Sequence, residues 1–227
     1  MPFAIAIDGP VGAGKSTISD QVAERLHILH MDTGAMYRAV GLSCLRAGVD
    51  INDEAAVTKH LQDGKAEVCV RYADSLQHTL LNGEDVSTAI RTQEAGTAAS
   101  AVSRYQAVRH AMVALQRDFA KGQSVLLDGR DIGTVVLPHA DVKIFLTSSD
   151  AIRAERRQKQ LAEKGEFRPF EEILAEVRAR DLQDETRAID PLRKADDAVI
   201  VDSTELTIEE TVDAILSIVH QRTAGKA

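Results

Sequence analysis

The sequence predicts an α/β fold of three layers, a parallel sheet flanked by helices on both faces. Three observations predict it. An apolar, β-branched run at residues 3–8 passes through a glycine-rich stretch into residues 15–26, where apolar positions recur at helical spacing. Short apolar runs return at residues 124–128, 142–146 and 198–201. Helical segments such as residues 106–121 and 151–164 separate them, and strands that alternate with helices in this way build parallel sheets buried on both faces.

Two stretches depart from the alternation. Residues 66–72 and 76–81 read as alternating strands, and Asn82-Gly83 before residues 84–86 is a strong hairpin signal. Antiparallel pairing inside a parallel fold predicts an inserted lobe, at about residues 50–100 of a single domain spanning 1–227. The second stretch, residues 153–194, is charged and mostly helical, with Gly165 and Pro169 as punctuation. It is expected to form a mobile helical lid at about residues 150–188, and the tail after Val219 is expected to fray.

With 227 residues, 44% hydrophobic and 27% charged, the chain suits one soluble domain with a sizeable core. It has no run of some eighteen apolar residues and no basic stretch or cleavage site around residues 1–8, so a cytoplasmic protein without a membrane partner is expected. Cys44 and Cys69 are expected to be reduced thiols. The formal net charge of -8 argues against a nucleic-acid polymer as partner, because duplex binding needs many basic contacts to phosphates. Any phosphate site must then be local, on a protein expected to be a monomer. The seven histidines, His27, His30, His60, His78, His110, His139 and His220, show no partner pattern or metal-ligand clustering and read as structural or exposed.

Gly9-Pro10-Val11-Gly12-Ala13-Gly14-Lys15-Ser16-Thr17 matches the phosphate-binding loop in full and lies between a strand and a helix, as the chemistry demands. The glycines let successive backbone N–H groups turn into one concavity, to which the helix adds its positive dipole end. Lys15 is expected to reach the β- and γ-phosphates of ATP, and the Ser16 hydroxyl to ligate Mg²⁺. The loop alone leaves kinase, GTPase and motor ATPase open. A GTPase requires a base-reading Asn-Lys-x-Asp segment, which is absent. The segment Asp128-Gly129-Arg130-Asp131-Ile132-Gly133-Thr134 follows an apolar run instead. Its Asp128 can hold Mg²⁺ or its waters, while Arg130 and Asp131 project at the strand ends where α/β sheets bind ligands.

Asp32-Thr33-Gly34-Ala35-Met36-Tyr37-Arg38 places a hydroxyl and an arginine at the mouth of another helix. It reads either as a site for an anionic acceptor or as a helix capped by Asp32 or Thr33. Arg153, Arg156 and Arg157 share a helix at spacings of three and four, and Arg180, Asp184 and Arg187 repeat the arrangement. Such runs are either solvated, salt-bridged helix faces or a cover of positive charge over a migrating phosphoryl group. As exposed side chains, lid arginines would add little to stability.

Together these motifs resemble those of bacterial cytidylate kinases, within the nucleoside monophosphate kinases, over nearly the whole chain from Ala4 to about Val219. The phosphate loop, the segment from Asp32 to Arg38, Gly83-Glu84-Asp85-Val86 with Ile90-Arg91-Thr92, the segment from Asp128 to Thr134, Val142-Lys143-Ile144-Phe145-Leu146 and Asp190-Pro191-Leu192 stand in that family's order. The resemblance implies transfer of the γ-phosphoryl group of MgATP to CMP or dCMP. It implies that Thr33, Arg38, Arg130 and Arg187 hold the acceptor phosphate, that Ser100, Arg109 and Asp131 read the cytosine, and that Arg180 and Asp184 hold the pentose. Arg153 and Arg157 resemble lid residues. Val11 stands where relatives often carry a smaller residue, and the lid tip at residues 165–170 follows no familiar pattern. Kinases of other small acceptors, UMP, dTMP or shikimate, are the nearest rivals, and an ATP-dependent switch is the rival of another class.

Overall fold

A computed structural model describes residues 2–73, 76–163 and 165–224. In chain order the elements begin with β1 (Ala4–Asp8), α1 (Lys15–Leu26), β2 (Leu29–Asp32), α2 (Thr33–Arg46) and α3 (Glu54–Gln62). Next come β3 (Val68–Ala73), β4 (Leu76–Leu81), β5 (Glu84–Asp85), a 3₁₀ turn (Ala89–Arg91), α4 (Gln93–Val102) and α5 (Gln106–Phe119). The chain continues through β6 (Val125–Gly129), a π-helical turn (Ile132–Val136), β7 (Val142–Thr147), α6 (Asp150–Glu163), α7 (Phe170–Thr186), β8 (Val199–Asp202) and α8 (Ile208–Thr223). The fold divides into two compact units, residues 2–30 with 122–224 and residues 31–121.

The first unit is built on the expected parallel sheet, in the order β2-β6-β1-β7-β8, with the unit boundary inside β2. β1 pairs in parallel with β6 on one side and β7 on the other, and β7 with β8. Ile5, Ala6 and Ile7 are fully buried, which is why β1 reads as an unbroken apolar run rather than an alternating one. Ile18 and Val22 of α1 and Val212, Ile215 and Val219 of α8 complete this core. The helix α8 starts at a capping box, Thr207 with Glu210, and does not end at the core. It runs on to Thr223, against the expected fraying after Val219, because Val219 is itself packed into the core and holds the last turns. The charged segment has a small core of its own, in which Ala154 and Leu161 of α6 meet Ile173, Leu174 and Val177 of α7, with Val11 packed against them. Lys164, the last residue of the expected helix, lies outside the described residues.

The second unit holds the antiparallel sheet β3-β4-β5 and helices α2 to α5. Its hairpin turns at Asn82 and Gly83, whose φ values of 50° and 85° are the left-handed pair that Asn-Gly favours. The expected insertion at 50–100 falls wholly inside this unit, which is larger at both ends. Helices α2 and α4 pack closely: a Cβ at Gly41 would lie 2.8 Å from Ala98 Cβ and 2.9 Å from the backbone at Ala98 and Ala99. Small residues on both helices permit that approach.

Gly41→Ala tests this packing. The methyl group would gain about 1 kcal/mol of helix propensity. Overpacking against backbone costs about 1–3 kcal/mol, so net destabilisation is expected, read as a fall in urea midpoint. An unchanged or higher midpoint would contradict the packing.

Candidate active site

β1 delivers its chain into the phosphate loop through Gly9, where a Cβ would sit 1.9 Å from the carbonyl oxygen of Leu146 on β7. No other residue fits between those two strand ends. Gly12 and Gly14 take left-handed φ values of 74° and 84°, and Gly14 is the N-cap of α1 without any side-chain cap. The first N–H groups of α1 therefore meet no capping side chain, the arrangement in which helix N-termini bind anions. Lys15 bends back over the loop and donates to the carbonyl oxygens of Gly9 at 2.8 Å and Pro10 at 2.7 Å. Burial, with the Arg130 charge adding to it, pushes the Lys15 ammonium down to about 7.

Ser16 Oγ donates to Asp128 Oδ2 at 3.1 Å, so the two groups expected at the metal stand side by side. Among the described residues no group of three or more His, Cys, Asp or Glu side chains could hold a metal ion. A hydroxyl beside one carboxylate nonetheless fits Mg²⁺, which keeps most of its waters and takes only one or two protein oxygens next to substrate phosphates. The other oxygen of Asp128 lies 2.8 Å from His30 Nε2, and His30 Nδ1 lies 2.6 Å from Asp20. Burial works against protonating His30, but the hydrogen bonds to both carboxylates prevail and raise its pKa far above the usual value. His30 is thus a structural histidine, and partners that the sequence does not display recur at His60 beside Ser43 and His78 beside Asp85. These partners lie 98, 17 and 7 positions away in sequence, so spacing hid them.

The segment after β6 carries Arg130 and Asp131. Arg130 Nε donates to Asp184 at 2.7 Å, and Arg187 Nη2 to Asp131 at 3.2 Å. Burial opposes ionisation of Asp184, yet the Arg130 charge and hydrogen bond, with Arg180 and Arg187 nearby, hold its carboxyl below the ordinary range. Asp8, at the end of β1, accepts from the N–H groups of Ile132 and Gly133, both at 2.7 Å. Burial pushes its carboxyl up to about 6 against those two bonds.

The lid arginines differ from one another. Arg153 is buried, donates to the carbonyls of Ser148 and Val11 at 2.9 Å, and pairs with Asp181 at 2.7 Å. It therefore ties α6 to the phosphate loop and to α7 rather than facing solvent. Arg156 donates to Ser203, and Arg157 is half-buried.

In the second unit, Asp32 caps α2 by accepting from Ala35 N–H at 3.0 Å and also receives Arg91 at 3.0 Å. Asp32 is therefore the cap of this helix, while Thr33 is buried and Arg38 half-buried rather than solvated. Arg109 is fully buried, its guanidinium 5.9 Å from the Tyr37 ring centroid, a cation–π distance. Ser100 is buried on α4.

The first unit thus brings Lys15, Ser16, Asp128, Arg130, Asp131, Arg153, Asp184 and Arg187 into one set of contacts. Thr33, Arg38, Ser100 and Arg109 belong to the second unit. Sequence reasoning missed Asp8, His30 and Asp181. The available signal was polarity out of place: an acid closing an apolar strand, an imidazole within a short strand, and an acid immediately after Arg180, three residues before Asp184.

Two stability tests follow from these contacts. Arg153→Ala would leave Asp181 without its partner, so a loss of about 3 kcal/mol is expected, unlike the small effect of an exposed arginine. Urea denaturation reads it, and a change within 0.5 kcal/mol, about that of an ordinary surface substitution, would refute the buried tie. Lys15 has a folded pKa below its unfolded value. Its contribution to stability is therefore complete only above the unfolded value of 10.5 and is lost as pH falls through about 7. The melting temperature of Lys15→Met minus that of the parent protein should rise as pH falls from about 10 to 7. A difference independent of pH would show that the lysine is not desolvated.

The cytidylate kinase family model matches residues 5–221. A cytidylate kinase of Caldicellulosiruptor saccharolyticus is 45% identical over 217 residues, covering 96% of this chain and 95% of that one. A cytidylate kinase of Geobacillus kaustophilus is 46% identical over 220 residues, covering 97% of each. Among solved structures, an uncharacterized protein from Eubacterium ventriosum is similar with a TM-score of 0.50 at 12% identity, covering 95% of this chain and 96% of that chain, a likeness of fold alone. With its phosphate loop, its buried charge network and a match over nearly its full length, the chain belongs to the cytidylate kinase family.

Proposed function

We propose that this protein transfers the γ-phosphoryl group of ATP to CMP or dCMP, giving ADP and CDP or dCDP. The observation that carries the reading is the juxtaposition in one unit of the phosphate loop, with Lys15, Ser16 and Asp128, and the linked set Arg130, Asp131, Asp184 and Arg187. The first group suits a triphosphate and the second an anionic, base-bearing acceptor.

In this reading, residues 9–17 hold the ATP phosphates, and Lys15 leaves the loop carbonyls to meet the β- and γ-phosphates. Ser16 and Asp128 would hold Mg²⁺, which would supply neutralising charge on the phosphates. The attacking oxygen of the acceptor phosphate is already an anion near neutral pH, so no strong general base is needed, and positioning with charge stabilisation carries the rate. Thr33, Arg38, Arg130 and Arg187 hold that phosphate. Arg180 and Asp184 hold the pentose, and Ser100, Arg109 and Asp131 read the base. Residues 50–100 serve as the monophosphate-binding insertion and 150–188 as a lid, with Arg157 turned toward the phosphates and Arg153 steadying the loop. Closure would exclude water from the transfer. The proposed setting is a cytoplasmic monomer, in keeping with two free cysteines, and its partners are small nucleotides rather than a polymer or a membrane.

Release of ADP, followed with each nucleoside monophosphate in turn, tests the reading. Cytosine offers an exocyclic amine that Asp131 can accept, whereas uracil presents an oxygen there. One mismatched buried polar contact costs about 1–3 kcal/mol, so CMP should exceed UMP in kcat/KM by about tenfold to a hundredfold. Equal values would sink the cytosine assignment, and the absence of stimulation by any acceptor would favour a nucleotide-dependent switch.

A further inference from the structure

Asp8 stands apart from every group assigned above. It closes β1 one residue before the phosphate loop, opposite Gly129 of β6 and Phe145 of β7 in the sheet register. The residue is 4% exposed, and its carboxylate spends one oxygen on each of two backbone N–H groups, Ile132 to Oδ1 and Gly133 to Oδ2, both at 2.7 Å. These are short, charge-assisted bonds to adjacent amides, a bidentate grip that fixes the direction of the peptide as well as its distance. They meet the first residues of the π-helical turn, where the amides have no partner within the turn.

The surroundings are shaped to the grip. A Cβ at Gly133 would stand 3.3 Å from Asp8 Oδ2 and 3.2 Å from Lys143 Cδ, close enough that a methyl group there would press on the carboxylate and on the lysine chain. The segment between β6 and the π turn is thereby held at both ends. One end is the pairing of Gly129 with Asp8, and the other is the side chain of the same Asp8. Between the two ends project Arg130, bonded to Asp184, and Asp131, bonded to Arg187. A single residue therefore relates the phosphate loop to both groups that the proposed function places on the acceptor.

Resting on that reading, we propose that Asp8 is a positioning residue for the acceptor: through the amides of Ile132 and Gly133 it sets Arg130 and Asp131 relative to the phosphate loop, touching neither nucleotide itself. Its substitution loosens acceptor binding and leaves the loop's hold on ATP intact, because Gly9 is fixed independently by its approach to Leu146.

The test compares Asp8→Asn and Gly133→Ala with the parent protein. An asparagine keeps the size of the side chain but can accept only one of the two amides, and turns an N–H donor toward the other. Gly133→Ala keeps the carboxylate and pushes the amide away from it, so it carries the test if Asp8→Asn does not fold. Loss of one charge-assisted bond corresponds to about tenfold, so KM for CMP should rise by about that factor in Asp8→Asn and less in Gly133→Ala. KM for ATP should change by less than about twofold. Hydrogen exchange at the Ile132 and Gly133 amides should accelerate in the variants while core amides of β1 stay protected. A variant with a lower melting temperature but unchanged KM for CMP would make Asp8 a purely structural group and overturn the proposal. Equal increases in KM for CMP and ATP would overturn it as well. A parent protein that CMP does not stimulate would instead bring down the functional reading, an outcome visible before any variant is measured.

Discussion

Charge buried at the C-terminal ends of β1 and β6 is the constraint on which the first unit depends. Asp8, Lys15, Asp128, Asp131, Arg153 and Asp184 are each less than a tenth exposed. An ion removed from water costs several kcal/mol unless partners replace its solvation, so each of these groups must be met by an opposite charge or a backbone dipole. The contacts comply: Asp8 takes two amides, Lys15 two carbonyls, Asp184 the Arg130 guanidinium, Asp131 that of Arg187, and Arg153 two carbonyls with Asp181. Because each partner comes from a different element, satisfying the charges also fixes the elements. β1, β6, α6 and α7 are locked to the phosphate loop by the same groups that give the site its electrostatics.

Backbone geometry determines which groups can take part. The close approach of Gly9 to Leu146 places the loop at the edge between β1 and β7, and parallel pairing of β1 with β6 brings Asp128 level with Ile7. From there the chain enters a π-helical turn, a feature often found at functional sites, and Asp131 precedes it with φ −145° and ψ 27°. The first two amides of the turn, those of Ile132 and Gly133, are the donors that the buried carboxylate of Asp8 accepts.

The features legible in the sequence were the local ones. The run at residues 3–8, the glycines before Lys15 and the Asn82-Gly83 hairpin each act through spacing or through a residue's own backbone preference, and each appears in the structure within two residues of its expected place. α1 was readable because Ile18 and Val22 repeat at helical spacing and the glycines end where it starts. The partners of charged residues were not legible. Asp8 meets Ile132 across 124 positions, and Asp128 meets His30 across 98. No periodicity encodes such contacts, since they depend on which strands become neighbours. Arg153 shows the same limit: its spacing with Arg157 suggested a common role, but one side chain is buried against Val11 and Asp181 and the other is half-buried. The turns of α8 beyond Val219 were not legible, because they follow a residue packed in the core rather than a signal of their own.

The position of Lys15 adds a last step to the electrostatic argument. Its ammonium lies on the carbonyls of Gly9 and Pro10, which belong to the loop proposed to hold the ATP phosphates. A loop wound to aim its N–H groups inward must aim some carbonyls elsewhere, and the lysine satisfies two of them. An arriving phosphate offers the ammonium a full negative charge in place of two dipoles, and burial strengthens that exchange because solvent screens it little. The same burial that lowers the lysine's pKa thus increases what an anion gains by entering. A charge kept dry and already within the loop needs little reorganisation to meet negative charge as it develops, which is the condition under which electrostatic stabilisation contributes most to phosphoryl transfer.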